Sequence, residues 1–157
     1  MLAALAAVAA AGAAGAAAQA PSSGHEPLTR IEDLRALVGQ VRREQRPLLL
    51  FFTVPGCPFC LEVRRSHLGP LGRENRGPLI REVEISSERT FIGLDGRKTT
   101  EHDFASSQNV RMVPHVVLVD AELRPLAEPM VGIGVADFYG AYLARAIDAA
   151  MHRLPSR

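Results

Sequence analysis

Leu48-Leu49-Leu50-Phe51-Phe52 is an unbroken run of large apolar side chains. A strand with one wet face alternates apolar and polar residues, whereas a run like this is expected where a strand is covered on both faces. The run passes through Thr53 and a turn, Val54-Pro55-Gly56, into Cys57-Pro58-Phe59-Cys60, and a stretch of helical character follows. The chain therefore carries its only two cysteines to a strand-to-helix junction. That is the arrangement thiol–disulfide exchange needs.

The rest of the chain predicts more helices and strands around this buried strand. Thr29-Arg30-Ile31-Glu32 fits a capping box, with Thr29 as N-cap, and Ile31, Leu34, Val38 and Val41 form a helical stripe running to about Gln45. A helix is expected from about Cys57 to His67, ending near Gly69-Pro70 or one turn beyond. Pro58 is tolerated there because first-turn N–H groups have no intrahelical acceptor. Leu79 to Ile85 alternates and reads as a strand, with Glu82 and Glu84 on one face that is expected to be solvated. Phe91 to Thr100 contains the hairpin signal Asp95-Gly96, and Thr100 to Gln108 is a short helix stopped at Asn109. Val116 to Asp120 is a β-branched run with Pro114 near its head, and Arg124 to Val131 is expected to pair back on it. Gly132 and Gly134 break the chain before an amphipathic helix, Asp137 to Leu154, with Tyr139, Leu143, Ile147, Ala150 and Leu154 on one face. Strands alternating with helices, then two consecutive strands, imply an α/β chain with a central mixed sheet flanked by helices.

At 157 residues the chain is expected to hold one domain, residues 28–157. Residues 1–20 contain no charged side chain, are nearly all Ala, and end in Ala18-Gln19-Ala20. They read as a secretory signal peptide, followed by a polar linker over residues 21–27. No Lys or Arg lies near the start, so an uncleaved membrane anchor and a disordered cytosolic tail stay open as other readings. Export, with a periplasmic or comparable destination, puts the two cysteines in an oxidising compartment, where they are usually paired. A net charge of +1 and the absence of Trp argue against a nucleic-acid partner. No cofactor is expected, and the protein is expected to act as a monomer.

Cys57, at the start of a helix, would have its thiolate stabilised by unpaired N–H groups and by the positive end of the helix dipole. Only the thiolate attacks a disulfide, so Cys57 is the nucleophile and Cys60, one turn on and less exposed, the resolving thiol. Pro58 and Phe59 shape the rim. Two other readings of the pair remain. A structural staple gains little, because so short a loop removes little unfolded-state entropy. A metal site would be Cu(I) or zinc held by Cys57, Cys60 and His115, with no second C-x-x-C to complete a zinc set. His25, His67, His102 and His152 are expected to be solvated surface groups.

Three stretches carry a family resemblance. They are Phe51 to Cys60, then Val110 to Pro114 with the strand to Asp120, then Gly132-Ile133-Gly134 ahead of the last helix. In order and spacing, residues 28–154 resemble the thioredoxin superfamily, within it the exported thioredoxin-like proteins, including the SoxW type. The resemblance implies a thioredoxin fold with an N-terminal helix extension. It also implies a cis peptide before Pro114, with Val113 pairing strand-like with a bound polypeptide and His115 beside the dithiol as a modulator. Expected partners are exported proteins bearing disulfides or thiols, and a membrane dithiol transporter as electron donor. Reduction of a specific partner is favoured over a broad oxidase or isomerase role. An isomerase typically adds a dimerisation domain, for which this length leaves no room. A copper chaperone is the alternative from another class. Cytosolic thioredoxins carry a buried Asp six residues before the first cysteine, where this chain has Phe51. Its relay role would fall to Glu84, to Glu62 or to water.

Overall fold

The computed structural model describes residues 28–74 and 76–154; the expected signal peptide and linker lie outside them. The element order is α1 (Leu34–Glu44), β1 (Leu48–Thr53), α2 (Pro58–Val63), a π-helical turn (Arg64–Leu68), α3 (Gly69–Glu74), β2 (Leu79–Glu84), β3 (Thr90–Ile92), β4 (Lys98–Thr100), α4 (Glu101–Ser107), β5 (His115–Val119), β6 (Met130–Val131) and α5 (Ala136–Arg153). Among the described residues no helix is long and apolar enough to cross a membrane.

β1 is buried at all its positions because it lies inside the sheet. It pairs in parallel with β2 and antiparallel with β5, and β6 adds to the far side of β5. The mixed sheet thus runs β2-β1-β5-β6, while β3 and β4 form a separate hairpin. Successive side chains of β1 point to opposite faces. Leu48, Leu50 and Phe52 meet Leu34, Val38 and Val41 of α1 and Phe104 of α4 in one core. Leu49 and Phe51 enter a second core with Cys60, Val63, Leu68, Tyr139 and Leu143. The dithiol helix and α5 therefore share a layer, opposite α1 and α4.

Four local expectations change. Thr29 does not cap α1; Asp33 does, its carboxylate accepting the Ala36 N–H at 2.9 Å. The segment before it is extended instead, with Arg30 bridging to Glu82 and Asp33 to Ile92 on the sheet edges. Glu82 N–H reaches Thr29 O at 2.9 Å and Ile92 N–H reaches Glu32 O at 3.0 Å. Pairing with two strands outweighs a local cap. The return strand over Arg124 to Val131 shrinks to β6 and one bridge, Val119 to Pro125. Pro125 and Pro129 have no N–H to offer a ladder. His67 is not solvated; it is partly buried, its ring 5.0 Å from that of Tyr139 on α5. Glu82 is also not solvated, and its place belongs to the site below.

The dithiol helix continues one turn beyond Pro70. The Gly69 N–H bonds to Arg64 O, five residues back, in the π-helical turn. Proline in a regular helix clashes with the carbonyl four residues back. A widened turn just ahead of Pro70 takes up its ring without ending the helix.

Candidate active site

β1 ends at Thr53, and Gly56 turns the chain with φ 71°, a left-handed value that favours glycine. Cys57 then becomes the N-cap of α2, with Pro58 in the first turn. Its Sγ accepts the Cys60 N–H at 3.1 Å, and its carbonyl accepts the Leu61 N–H at 3.1 Å. A sulfur that caps a helix faces the unpaired N–H groups and the positive dipole end, both of which favour the anion once the pair is reduced. Cys57 and Cys60 form a disulfide, Cα atoms 5.2 Å apart. Cys60 is buried in the second core and Cys57 is partly exposed. An incoming group can therefore reach Cys57 and not Cys60, a division of labour suited to attack and resolution.

The Val113–Pro114 peptide is cis. Pro114 is buried, and Val113, half-buried, packs with Cys57 against the core that holds Cys60. Phe59, between the cysteines, is 57% exposed, and Met112, next to Val113, is 62% exposed. Two large apolar side chains thus stand in water on the segments that flank the disulfide. Met112 was not picked out from sequence, since one exposed Met in a loop has no periodic signature.

His115 opens β5, its ring edge-on to Phe52 with centroids 5.6 Å apart. Burial pushes its imidazole below the ordinary value. Burial thus works against the protonated form on which the expected electrostatic role of His115 depends. No three His, Cys, Asp or Glu side chains among the described residues are grouped to hold a metal ion.

Three carboxylates lie on the elements around the dithiol. Glu62 is exposed and accepts a hydrogen bond from Ser66 at 2.6 Å, on the outer face of the helix. Glu84 is partly buried, 3.5 Å from Arg30 Nη1. Glu82, 7% exposed, pairs with Arg64 through two hydrogen bonds, one of them Nε to Oε2 at 3.2 Å. Arg64 also lies over the Phe51 ring, 5.7 Å from its centre. Cys57, Thr53, Arg64, Glu82 and Glu84 line a single cavity of about 380 Å³. Sequence reasoning missed Arg64 and Glu82. The available signal was the spacing of 57, 60 and 64 on one helical face, opposite the acidic face of β2.

No family model matches this chain, and no curated protein matches it. Solved structures do. A DsbH oxidoreductase is 18% identical, with 90% of this chain and 96% of that one covered and a TM-score of 0.53. A poplar thioredoxin h mutant is 13% identical, covering 85% and 94%, TM-score 0.57. Mitochondrial thioredoxin 3 from Saccharomyces cerevisiae, in its oxidised form, is 16% identical, covering 77% and 93%, TM-score 0.52. These likenesses are of fold and do not single out the SoxW type. The chain has the thioredoxin fold, with a disulfide-bonded C-x-x-C at the start of its second helix.

Proposed function

We propose that this chain is an exported thiol–disulfide oxidoreductase that reduces disulfides in protein partners through Cys57 and Cys60. The observation that carries the reading is the position of Cys57. Its partly exposed sulfur caps a helix and is joined to a buried cysteine one turn on.

In the reduced protein the Cys57 thiolate attacks one sulfur of a client disulfide. A Cys57–client bond forms, and the other client sulfur leaves as a thiolate that takes up a proton. Cys60 then loses its proton and attacks Cys57 Sγ. The Cys57–Cys60 bond forms, and the second client cysteine leaves reduced. One disulfide has been exchanged for another, with two electrons passed to the client. A dithiol donor returns them by the same chemistry in reverse; a membrane transporter of dithiol electrons fits an exported protein. Phe59 and Met112 offer apolar contact to a polypeptide client beside the reacting sulfur, with Val113 available for backbone pairing and Pro58 fixing the turn. The protein acts alone, as a monomer.

The test is turnover and trapping. Reduced wild-type protein is expected to reduce insulin disulfides, Cys57→Ala to be inactive, and Cys60→Ser to accumulate a mixed disulfide with its client in extracts of the exporting compartment. A reduction potential close to about −270 mV fits the reductant role, whereas one close to about −120 mV makes the protein an oxidant. Absence of both turnover and trapping refutes the proposal.

A further inference from the structure

We propose that Arg64, aligned by Glu82, is a positioning residue that sets the ionisation of Cys57. This rests on the thiol–disulfide reading above and adds to it the group that tunes the nucleophile.

Residues 57, 60, 61 and 64 follow the i, i+3, i+4, i+7 spacing that keeps side chains on one helical face. Arg64 is thus on the face of the cysteines, unlike Glu62 and Arg65, which are exposed. On the facing strand, Phe51 is in register with Glu82 and Thr53 with Glu84. Partners in a parallel register share a face, so Glu82 and Glu84 rise beside β1 toward the end where Cys57 emerges. Glu82 grips Arg64 with both oxygens, and the Phe51 ring lies under the guanidinium. Arg64 is 22% exposed. A planar cation held at two points and largely removed from water keeps its direction and is weakly screened.

The charges around Cys57 can be enumerated. From the helix comes Arg64, and from β2 come Glu82 and Glu84. Glu84 is offset by Arg30 at 3.5 Å. On β5, His115 is turned edge-on to Phe52, and burial disfavours its charged form. Among the described residues, Arg64 is the one basic side chain lining the cavity that Cys57 lines. In the oxidised protein the sulfurs carry no charge. A donor dithiol delivers two electrons, the S–S bond breaks, one proton ends on Cys60, and Cys57 keeps the negative charge. That charge faces the cavity that Arg64, already oriented by Glu82, also lines. Arg64 stabilises it and Glu82 opposes it, so the two residues act on the thiolate with opposite signs.

The sign difference makes the test. Ultraviolet thiolate absorbance is followed against pH in the reduced wild type and in Arg64→Met, Arg64→Lys and Glu82→Gln. Reduction potentials are measured in glutathione buffers, and far-ultraviolet circular dichroism checks the fold. Arg64→Met is expected to lower the Cys57 ionisation constant roughly three- to tenfold and to make the potential more negative. Glu82→Gln is expected to raise the constant, and Arg64→Lys to keep most of the wild-type value. If Arg64→Met does not fold, Arg64→Gln, which still donates to Glu82, takes its place. A merely structural ion pair would move stability and leave ionisation alone. Unchanged ionisation in folded, active Arg64 and Glu82 variants, or a shift of the same sign in both, overturns this inference and leaves the functional reading standing. A wild-type Cys57 that ionises like a free thiol and exchanges no disulfide overturns both.

Discussion

Glu101 is the most deeply buried charge among the described residues, at 0% exposure, and its replacement gives the sharpest stability prediction. Its carboxylate accepts from Arg30 Nε at 2.8 Å, from Arg30 Nη2, from Arg89 Nη1 at 3.1 Å and from the Glu84 N–H at 3.3 Å. It therefore ties the extended segment before α1 to the end of β2. Glu101→Gln keeps the shape and removes the charge, and it turns an amide NH₂ toward guanidinium donors. Hydrogen bonds to charged groups contribute about 1.5–3 kcal/mol each, and breaking a buried pair costs about 3–5 kcal/mol. The two arginines are 31% and 29% exposed and regain some hydration when released, which favours the lower end. The expected loss is about 3 kcal/mol, or about 10 °C in Tm for a domain of this size. Glu122→Gln is the control: its partners Arg42 and Arg124 are 60% and 68% exposed and Glu122 itself 47%, so weakening those pairs should change stability by no more than about 1 kcal/mol. Urea unfolding of the three proteins at neutral pH measures both. A Glu101→Gln loss no larger than that of Glu122→Gln would refute the argument that burial makes this network matter.

Asp33→Ala should cost about 1 kcal/mol through loss of the α1 cap, whereas Thr29→Ala should be nearly neutral; urea midpoints separate the two. The Tyr139 hydroxyl is buried without a hydrogen-bond partner among the described residues, and burial pushes its phenol up to about 12. Tyr139→Phe should therefore gain about 1 kcal/mol in thermal unfolding. His115 has a folded-state value below its unfolded one, so unfolded chains bind the proton more readily. Its neutral form supports full stability above the unfolded value of about 6.5, and stability falls as pH drops through and below it. His115→Gln should flatten that acid limb in unfolding curves measured across the range.

The parts of this fold that were legible are those in which side-chain type alone decides the outcome. Five adjacent apolar residues from Leu48 cannot face water, so β1 had to be internal. The stripe through Tyr139, Leu143 and Ala150 had to bury one side of α5, and all three are buried. Pro55-Gly56 before Cys57 had to be a turn. What escaped was set by competition between partners distant in sequence. Thr29 is an acceptable cap, yet its carbonyl is taken by Glu82 N–H across the sheet edge. Glu82 looks like any acid on an alternating strand. Only the approach of Arg64, eighteen residues earlier, turns its face from solvated to buried. The extent of β6 was overestimated because its proline-bearing approach still counts as apolar.

The same register explains how the fold accommodates Phe51 at the position where cytosolic thioredoxins carry a buried acid. Phe51 and Glu82 are neighbours on adjacent strands, on one face and at one level. An Asp at 51 would sit between two neighbouring strands, inside the core with Val63 and Leu68, where an unpaired charge is costly. With Phe at 51 the central strand keeps its apolar interior and the carboxylate moves one strand outward. There Glu82 still faces the dithiol helix and can be reached by a long, cationic side chain from it. The arginine spans that gap and lays its guanidinium on the Phe51 ring, so the aromatic and the ion pair support one another. Phe51→Leu should keep the core and loosen Arg64. It should move the ionisation of Cys57 in the same direction as Arg64→Met and by less, because Glu82 would still hold the cation. A shift as large as that of Arg64→Met would mean that the ring, and not the carboxylate, orients the guanidinium.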